Sequence, residues 1–282
     1  MPCIDDIEIG ISSMMVYFTA LKKYCGYMFN VTTEYYSFES RNLYEVNIHL
    51  PKEDVEAKTD ARVPIILVDA GQTAGEETVI LVLTFIERLM ACQDNEHMLQ
   101  DMRWVFLPCV NPDGMEYVRF DRPQWTKNTR RSEDGLSYGI DISRNFDSHW
   151  EECERNTNGF SDTYPGPAAA SEVETRFVRD MILKYKDDIK AYLSIRHEGH
   201  AILYPHAYSD KFDDVSMRAV KLAELISLKV NQRGSAFQTF VNDSIYNANG
   251  KPHCGSSVDY AHSQGISLSF EMRVGFGKDL DV

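Results

Sequence analysis

Two kinds of apolar pattern follow one another along the chain. Residues 63–70 and 104–110 are nearly continuous apolar runs, which is typical of strands buried on both faces of a parallel sheet. Apolar residues instead recur with helical spacing over the ranges 12–29, 76–91, 172–185 and 215–233. Ser171 to Glu174 resembles a capping box at the start of the third of these helices.

Further strands are predicted at 44–50, 189–195, 201–204 and 266–272. Strands that alternate with helices predict an α/β fold, with a mixed, mostly parallel sheet of about eight strands and helices on both faces. No linker, repeat or low-complexity segment divides the sequence, so residues 1–282 are interpreted as a single domain.

In such a fold, functional sites form where strands end at their carboxyl ends. Four stretches are predicted to converge there: 71–77, 111–114, 194–200 and 270–273. The second of them, Asn-Pro-Asp-Gly, is predicted to be a turn.

The formal charge of −14 argues against a nucleic-acid partner, since phosphate binding needs clustered Lys and Arg. No apolar run has the length of about 18 residues that a membrane span requires, so no membrane partner is expected. The first residues do not form a signal peptide, which predicts a cytoplasmic protein, or a secreted one if a leader is missing. The six cysteines have no regular spacing and predict neither a zinc finger nor a disulfide framework.

Several ordered segments carry a family resemblance. They are VDAGQTAGEE (68–77), FLPCVNPDG (106–114), GIDISRNFDSHW (139–150), TYPGPAAASEVET (163–175), AYLSIRHEGHAILYPHAY (191–208), GSSVDYA (255–261) and SFEMR (269–273). In this order, the chain resembles the zinc metallocarboxypeptidases of the carboxypeptidase A type. The resemblance implies hydrolysis of C-terminal residues of peptides, with peptide C-termini as partners and zinc as cofactor.

The resemblance also implies three zinc ligands, a His-x-x-Glu pair and a distant His. In this chain Thr73 and Arg196 occupy the two His positions, and only Glu76 remains. Neither replacement is a zinc ligand, so zinc is expected to be absent or weakly bound. A salt bridge between Arg196 and Glu76 in place of the metal is a hypothesis.

The substrate side is better preserved. By resemblance, Glu271 is the general base and Arg144 anchors the terminal carboxylate. The position of the family's Arg that polarises the carbonyl falls on Thr129 or, with one inserted residue, on Arg130. Ser143 and Tyr246 complete the binding of that carboxylate, and Val258 lies at the floor of the specificity pocket, where an apolar or aromatic side chain fits.

Three hypotheses remain open. The first is a degenerate carboxypeptidase, inactive but able to bind peptide C-termini. The second is an active enzyme of A-like specificity in which His197, one residue along, replaces the missing ligand through a bulge. The third is a structural or interaction protein. In addition, the sequence ends at Val282, where the family continues into a final helix, so that helix is expected to be missing.

Overall fold

A computed structural model describes residues 10–50, 63–75, 77–91, 95, 97–132, 135–154, 156–197, 199–211, 214–233 and 239–275. Its strands are β1 (Phe29–Tyr36), β2 (Asn42–Ile48), β3 (Ile65–Ala70), β4 (Arg103–Leu107), β5 (Ile189–His197), β6 (Ala201–Tyr204), β7 (Val241–Ser244) and β8 (Ser269–Val274). Its α-helices are α1 (Ile11–Cys25), α2 (Glu77–Ala91), α3 (His97–Gln100), α4 (Pro112–Phe120), α5 (Val173–Tyr185), α6 (Met217–Arg233), α7 (Ile245–Asn249) and α8 (Ser257–Ser263). A short 3-10 helix spans Ile142–Arg144.

The strands form one mixed sheet in the order β1-β2-β4-β3-β5-β8-β6-β7. The four central strands β4, β3, β5 and β8 are mutually parallel, whereas β1, β2 and β6 join the sheet through antiparallel pairs. The predicted α/β fold, a single domain with a mixed, mostly parallel sheet of about eight strands, is therefore confirmed. Because the central strands are parallel neighbours, the four stretches that follow them lie at the same edge.

Helices cover both faces of the sheet, as predicted. On one face, α1 and α2 pack against the sheet through a core that includes Phe18, Leu83 and Val68. On the other face, α5 and α8 contribute to a second core that includes Phe177 and Leu67. None of the described helices is both long enough and apolar enough to span a bilayer.

The first predicted helix was too long. The range 12–29 was assigned to it, but α1 ends at Cys25 and the chain enters β1 at Phe29. Phe29 itself is buried and packs in the same core as α1. The helical spacing of apolar residues in α1 and the buried residue at the start of β1 were therefore interpreted as one helix, because both place apolar side chains in the same core.

The prediction of a turn at 111–114 was also wrong. Asn111 caps a helix there: its side-chain oxygen accepts a hydrogen bond from the amide of Gly114 at 2.9 Å, and Pro112 occupies the first turn. Asn at the N-cap and Pro at the first helical position are both favoured at helix starts. Turn residues and helix-start residues are largely the same residue types, so sequence alone did not separate them.

The capping box at Ser171 was wrong as well. The residue before α5 is Glu172, which makes no side-chain capping hydrogen bond, and the Ser171 hydroxyl donates to the Glu172 carboxylate at 2.7 Å instead. Glu174 consequently does not reach back to the helix start. The expected absence of a final helix concerns residues after 275, outside the described residues.

Candidate functional site

A buried polar network lies at the carboxyl end of β3. Gln72 is 1% exposed, and its side-chain nitrogen faces Oδ1 of Asp69 at 2.8 Å, Oγ of Ser257 at 3.0 Å and Oγ of Ser194 at 3.2 Å. The hydroxyl of Tyr192 donates to the other oxygen of Asp69. The network thus joins β3, β5 and the start of α8, which fixes the Gln72 side chain in one orientation.

The turn that carries Gln72 depends on Gly71. Its φ of +70° lies in the left-handed region, and a Cβ there would come within 3.0 Å of the Val79 side chain. The Gly71 carbonyl accepts a hydrogen bond from the Asn111 amide at 2.9 Å, and the Asn111 side chain donates to the Gln72 carbonyl at 3.2 Å. The end of β3 is therefore held against the end of β4, as the predicted convergence requires.

Arg196 enters this network from β5. It is 8% exposed, its Nη2 donates to Oε1 of Gln72 at 2.8 Å, and its Nε donates to Oγ of Ser194 at 3.2 Å. Burial raises the pKa of Asp69, while the positive charge of Arg196 acts in the opposite direction. The guanidinium is thus a buried cation that donates hydrogen bonds to the neutral side chains of Gln72 and Ser194.

Two of the three residues at the predicted zinc positions, Thr73 and Arg196, do not fit zinc. Thr73 is a partly exposed residue of the turn after β3, and the amide of the next residue, Ala74, donates to the Thr126 carbonyl at 3.0 Å. Arg196 offers no lone pair to a metal and carries the same sign of charge. Glu76 lies outside the described residues, so its suggested salt bridge with Arg196 stays a hypothesis.

His197 lies on the face of β5 opposite to Arg196. Ile195 belongs to the core on the α2 side of the sheet, whereas Tyr192 belongs to the core on the α5 side. Side chains alternate along a strand, so His197 shares the face of Ile195 and Arg196 that of Tyr192. The pairing of β5 with β8 runs without a register shift from Tyr192 through His197. A bulge that would turn His197 towards Gln72 is absent from this described pairing.

Glu271, the candidate general base, lies on β8 beside two cations. Its Oε1 accepts a hydrogen bond from Nε of Arg273 at 2.7 Å, and Arg273 also donates to Oδ1 of Asn249 at 2.6 Å. Burial works against ionisation of Glu271, but the positive charges of Arg273 and Arg196 outweigh it and lower its pKa. The side chain is therefore a carboxylate at neutral pH, already paired with a neighbour on its own strand.

Arg144 and Ser143, the candidate carboxylate anchors, are held by Asp141. Oδ1 of Asp141 accepts hydrogen bonds from the amide and the hydroxyl of Ser143, at 3.0 and 2.6 Å. Nε of Arg144 forms an ion pair with Oδ2 of Asp141 at 3.2 Å. The Arg144 side chain is 20% exposed, so an anion from solvent can reach it.

His253 adjoins this anchor and was missed by the sequence reasoning. Its Nε2 lies 2.9 Å from the Ser143 carbonyl. Burial, reinforced by the charge of Arg144, lowers the pKa of His253 to about 4. The ring is therefore neutral at physiological pH, and Nε2 donates its proton to the carbonyl without adding a second charge beside Arg144.

Residues 253–256 are fastened to the Arg144 segment. A Cβ on Gly255 would lie 2.1 Å from the Arg144 carbonyl oxygen, and the φ of Gly255 is +76°, so only glycine fits there. Cys254 forms a disulfide with Cys153, 101 residues away in sequence. The irregular cysteine spacing did not predict this disulfide, because the pairing of distant cysteines cannot be read from their spacing.

Tyr246 and Val258 lie on the two helices that flank this region. Tyr246 is partly exposed near the start of α7, and its amide donates to the His206 carbonyl at 2.9 Å. Asn249 of the same helix binds Arg273, which connects α7 to Glu271. Val258 is fully buried at the start of α8, next to Ser257 of the Gln72 network.

Arg130 and Thr129, the two candidates for the position of the polarising Arg, bind two different carboxylates. Nη1 of Arg130 donates to Oε1 of Glu172 at 2.6 Å, whereas the Thr129 hydroxyl donates to Oε1 of Glu39 at 2.7 Å. Of this segment, Thr126 is the residue whose carbonyl binds the turn that carries Thr73. A catalytic role for Arg130 thus stays a prediction.

The sequence reasoning also missed the polar core of the site. Asp69 and Gln72 were passed over because they sit within or just after an apolar run. A carboxylate inside such a run is itself a signal, since a buried acid needs partners.

The comparisons with known proteins agree with this architecture. A family model described as zinc carboxypeptidase matches residues 14–280. Carboxypeptidase B of Helicoverpa zea is 31% identical over 242 residues, covering 83% of this chain and 54% of the relative. Zinc carboxypeptidase A 1 of Drosophila melanogaster is 29% identical over 238 residues, with the same two coverages.

Two solved structures share the fold. Carboxypeptidase A from Helicoverpa armigera superposes with a TM-score of 0.86 at 22% identity, covering 96% of this chain and 65% of that chain. Bovine thrombin-activatable fibrinolysis inhibitor, solved with a tick carboxypeptidase inhibitor, superposes with a TM-score of 0.83 at 22% identity, covering 96% of this chain and 87% of that chain. The chain belongs to the zinc carboxypeptidase family. It spans about half the length of the curated relatives named above.

Proposed function

We propose that this chain is a carboxypeptidase-like protein that binds peptide C-termini and does not hydrolyse them. The observation that carries the proposal is the buried guanidinium of Arg196, hydrogen-bonded to Gln72 where the resemblance places a zinc-binding His. Zinc affinity rests on ligand number and geometry, so two lost ligands leave too few donors for a catalytic metal. Glu271, paired with Arg273, then has no activated water to deprotonate.

An active enzyme that uses His197 is disfavoured by the same geometry. The unbroken pairing of β5 with β8 directs His197 away from the Gln72 network. The test is the release of the C-terminal residue from a blocked dipeptide with added zinc, for the unaltered chain and for Glu76→Gln. We expect no release from either. Zinc-dependent release that Glu76→Gln abolishes would refute the proposal.

Binding of the peptide terminus is assigned to the Arg144 segment. Arg144 is held in place by Asp141 and remains accessible, and neutral His253 closes one side without competing for the anion. A guanidinium fixed in this way is suited to a carboxylate. By the resemblance, Val258 lies at the floor of the specificity pocket, which favours an apolar or aromatic terminal side chain.

The binding test compares a short peptide that ends in Phe with its C-terminal amide. We expect the amide to bind more weakly. Arg144→Ala should cost about 2–5 kcal/mol of binding free energy for the acid, the range for breaking a buried charge pair. Arg218→Ala, at an exposed Arg of α6, is the matched control and should change nothing. Equal binding of acid and amide, or none, would favour the third hypothesis, a structural or interaction protein.

We also propose that the protein works in an oxidising compartment. The Cys153–Cys254 disulfide supports this, because disulfides persist mainly outside the reducing cytosol. The secreted alternative is thus preferred to the cytoplasmic one. Mass spectrometry of the protein from its native source, with free thiols alkylated first, tests this: alkylated Cys153 and Cys254 would contradict it.

A further inference from the structure

Three potential metal ligands meet near the carboxyl end of β6. His206 follows β6, Asp214 precedes α6, and His262 lies near the end of α8. Their ligand atoms all lie within 4.8 Å of one another. Nε2 of His206 is 2.6 Å from Oδ1 of Asp214, and Nε2 of His262 is 3.4 Å from Oδ2 of the same carboxylate.

A second carboxylate, that of Asp259, faces the other ring nitrogen of His206. Nδ1 of His206 lies 3.8 Å from Oδ1 of Asp259. That carboxylate is itself fixed by the amides of Ala207, at 3.0 and 2.9 Å, and of Tyr208, at 3.2 Å. A carboxylate facing the second ring nitrogen is the usual support of a ligating His, since it sets the tautomer and the ring orientation.

The charged groups around the cluster are carboxylates: Asp214 belongs to it, and Asp259 faces His206. Nδ1 of His262 is buried without a hydrogen-bond partner among the described residues. Asp214 is 66% exposed, so an ion can approach from solvent, while both rings are largely buried.

The spacing is compatible with zinc. Ligands about 2.0–2.2 Å from a tetrahedral zinc lie about 3.3–3.6 Å from one another. The His262–Asp214 separation of 3.4 Å already has this value, and the His206–Asp214 separation of 2.6 Å needs to open by less than 1 Å. Two imidazoles and one carboxylate form a donor set that zinc prefers, with a fourth position left for water.

We propose that His206, Asp214 and His262 form a zinc-binding site that is separate from the site of Thr73, Glu76 and Arg196. The ion would join the loop after β6, the start of α6 and the end of α8. Tyr246 binds the His206 carbonyl, and Val258 lies on the same helix as His262, so the ion would brace two walls of the proposed peptide pocket.

The test is titration of metal-free protein with Zn²⁺ by calorimetry at pH 7.5, with Co²⁺ absorbance as a probe of coordination. We expect one ion per chain and a Co²⁺ spectrum of tetrahedral type. Asp214→Asn and His262→Gln should each weaken Zn²⁺ binding by about 100-fold or more, since even supporting residues of a zinc site cost 10–100-fold. Asp210→Asn removes the same charge from the same exposed loop and should bind as the unaltered chain does.

Two controls separate loss of Zn²⁺ binding at the cluster from misfolding and from Zn²⁺ binding at Glu76. Zn²⁺ should raise the Tm of the unaltered chain and of Asp210→Asn, but not that of Asp214→Asn, whose exposed side chain makes misfolding a minor concern. Absence of Zn²⁺ binding, or unchanged binding in both cluster variants, would overturn this inference alone. Binding that is lost in Glu76→Gln and kept in Asp214→Asn would overturn it and would also contradict the proposed loss of the family zinc site.

Discussion

Glu174 has a fully buried carboxyl group near the start of α5, and neither of its oxygens has a hydrogen-bond partner among the described residues. Burial, reinforced by the negative charges of Glu172 and Asp113, raises its pKa from 4.5 to about 8. The folded protein therefore holds this proton at neutral pH, whereas the unfolded chain releases it. Glu174→Gln keeps the shape of the side chain and removes its titration.

The sign follows from proton linkage. A carboxyl whose pKa is raised by folding makes the folded state bind more protons, so stability falls as pH rises from 4.5 to about 8. A difference of one pKa unit between the folded and unfolded states corresponds to about 1.36 kcal/mol. The raised pKa of Glu174 therefore lowers the free energy of unfolding by about 1 kcal/mol at pH 5 and about 3 kcal/mol at pH 7. Glu174→Gln should thus stabilise the protein by about 2.5 kcal/mol more at pH 7 than at pH 5.

Urea unfolding of both proteins between pH 5 and pH 8 measures this difference. The slope of the unfolding curve against urea should be unchanged, so that the shift in midpoint reports stability alone. Glu224→Gln, at an exposed position of α6, removes a carboxyl of the same type and is the matched control. A Glu174→Gln effect that is constant across the range would refute the reasoning, because it would show that Glu174 does not titrate differently in the two states.

Two further predictions concern the site. Arg196→Met should lower the free energy of unfolding by about 1–3 kcal/mol, since the buried side chains of Gln72 and Ser194 lose a hydrogen-bond donor; a urea-unfolding loss below about 0.5 kcal/mol would contradict these hydrogen bonds. Cys153→Ser should cost about 2–5 kcal/mol in thermal or urea unfolding and weaken peptide binding, because the Cys254 segment beside Arg144 is released; unchanged binding would show that the segment is held without the disulfide.

The sequence predicted best those elements in which the apolar residues follow a single pattern, either helical spacing or a continuous run. The apolar runs that became β3 and β4 are too short for helices and too apolar for surface strands, so their burial at the centre of the sheet followed. β1 and α4 were not predicted, because the first adjoins a helix on the same core and the second begins with turn-forming residues. In both cases tertiary packing decides what the local pattern leaves open.

The parallel strands explain why distant segments meet at the candidate site. The assignment of Arg196 and Arg144 rests on the ordered landmarks, and the roles of both residues stay predictions. Arg196 donates to Gln72 as well as to Ser194, and the contact with Gln72 depends on side-chain orientations across 124 residues of sequence. The same holds for His253, whose role comes from burial beside Arg144 and has no local sequence signal.

Arg196 gives the centre of this molecule a positive charge that is part of the polypeptide itself. A metal-dependent site loses its charge whenever the ion is scarce or chelated, and its acidic surroundings then repel one another. The guanidinium of Arg196 is covalently part of the chain, so its presence depends on no binding equilibrium and no exchange with solvent. The interior around Asp69 and Glu271 can therefore stay assembled at any metal concentration.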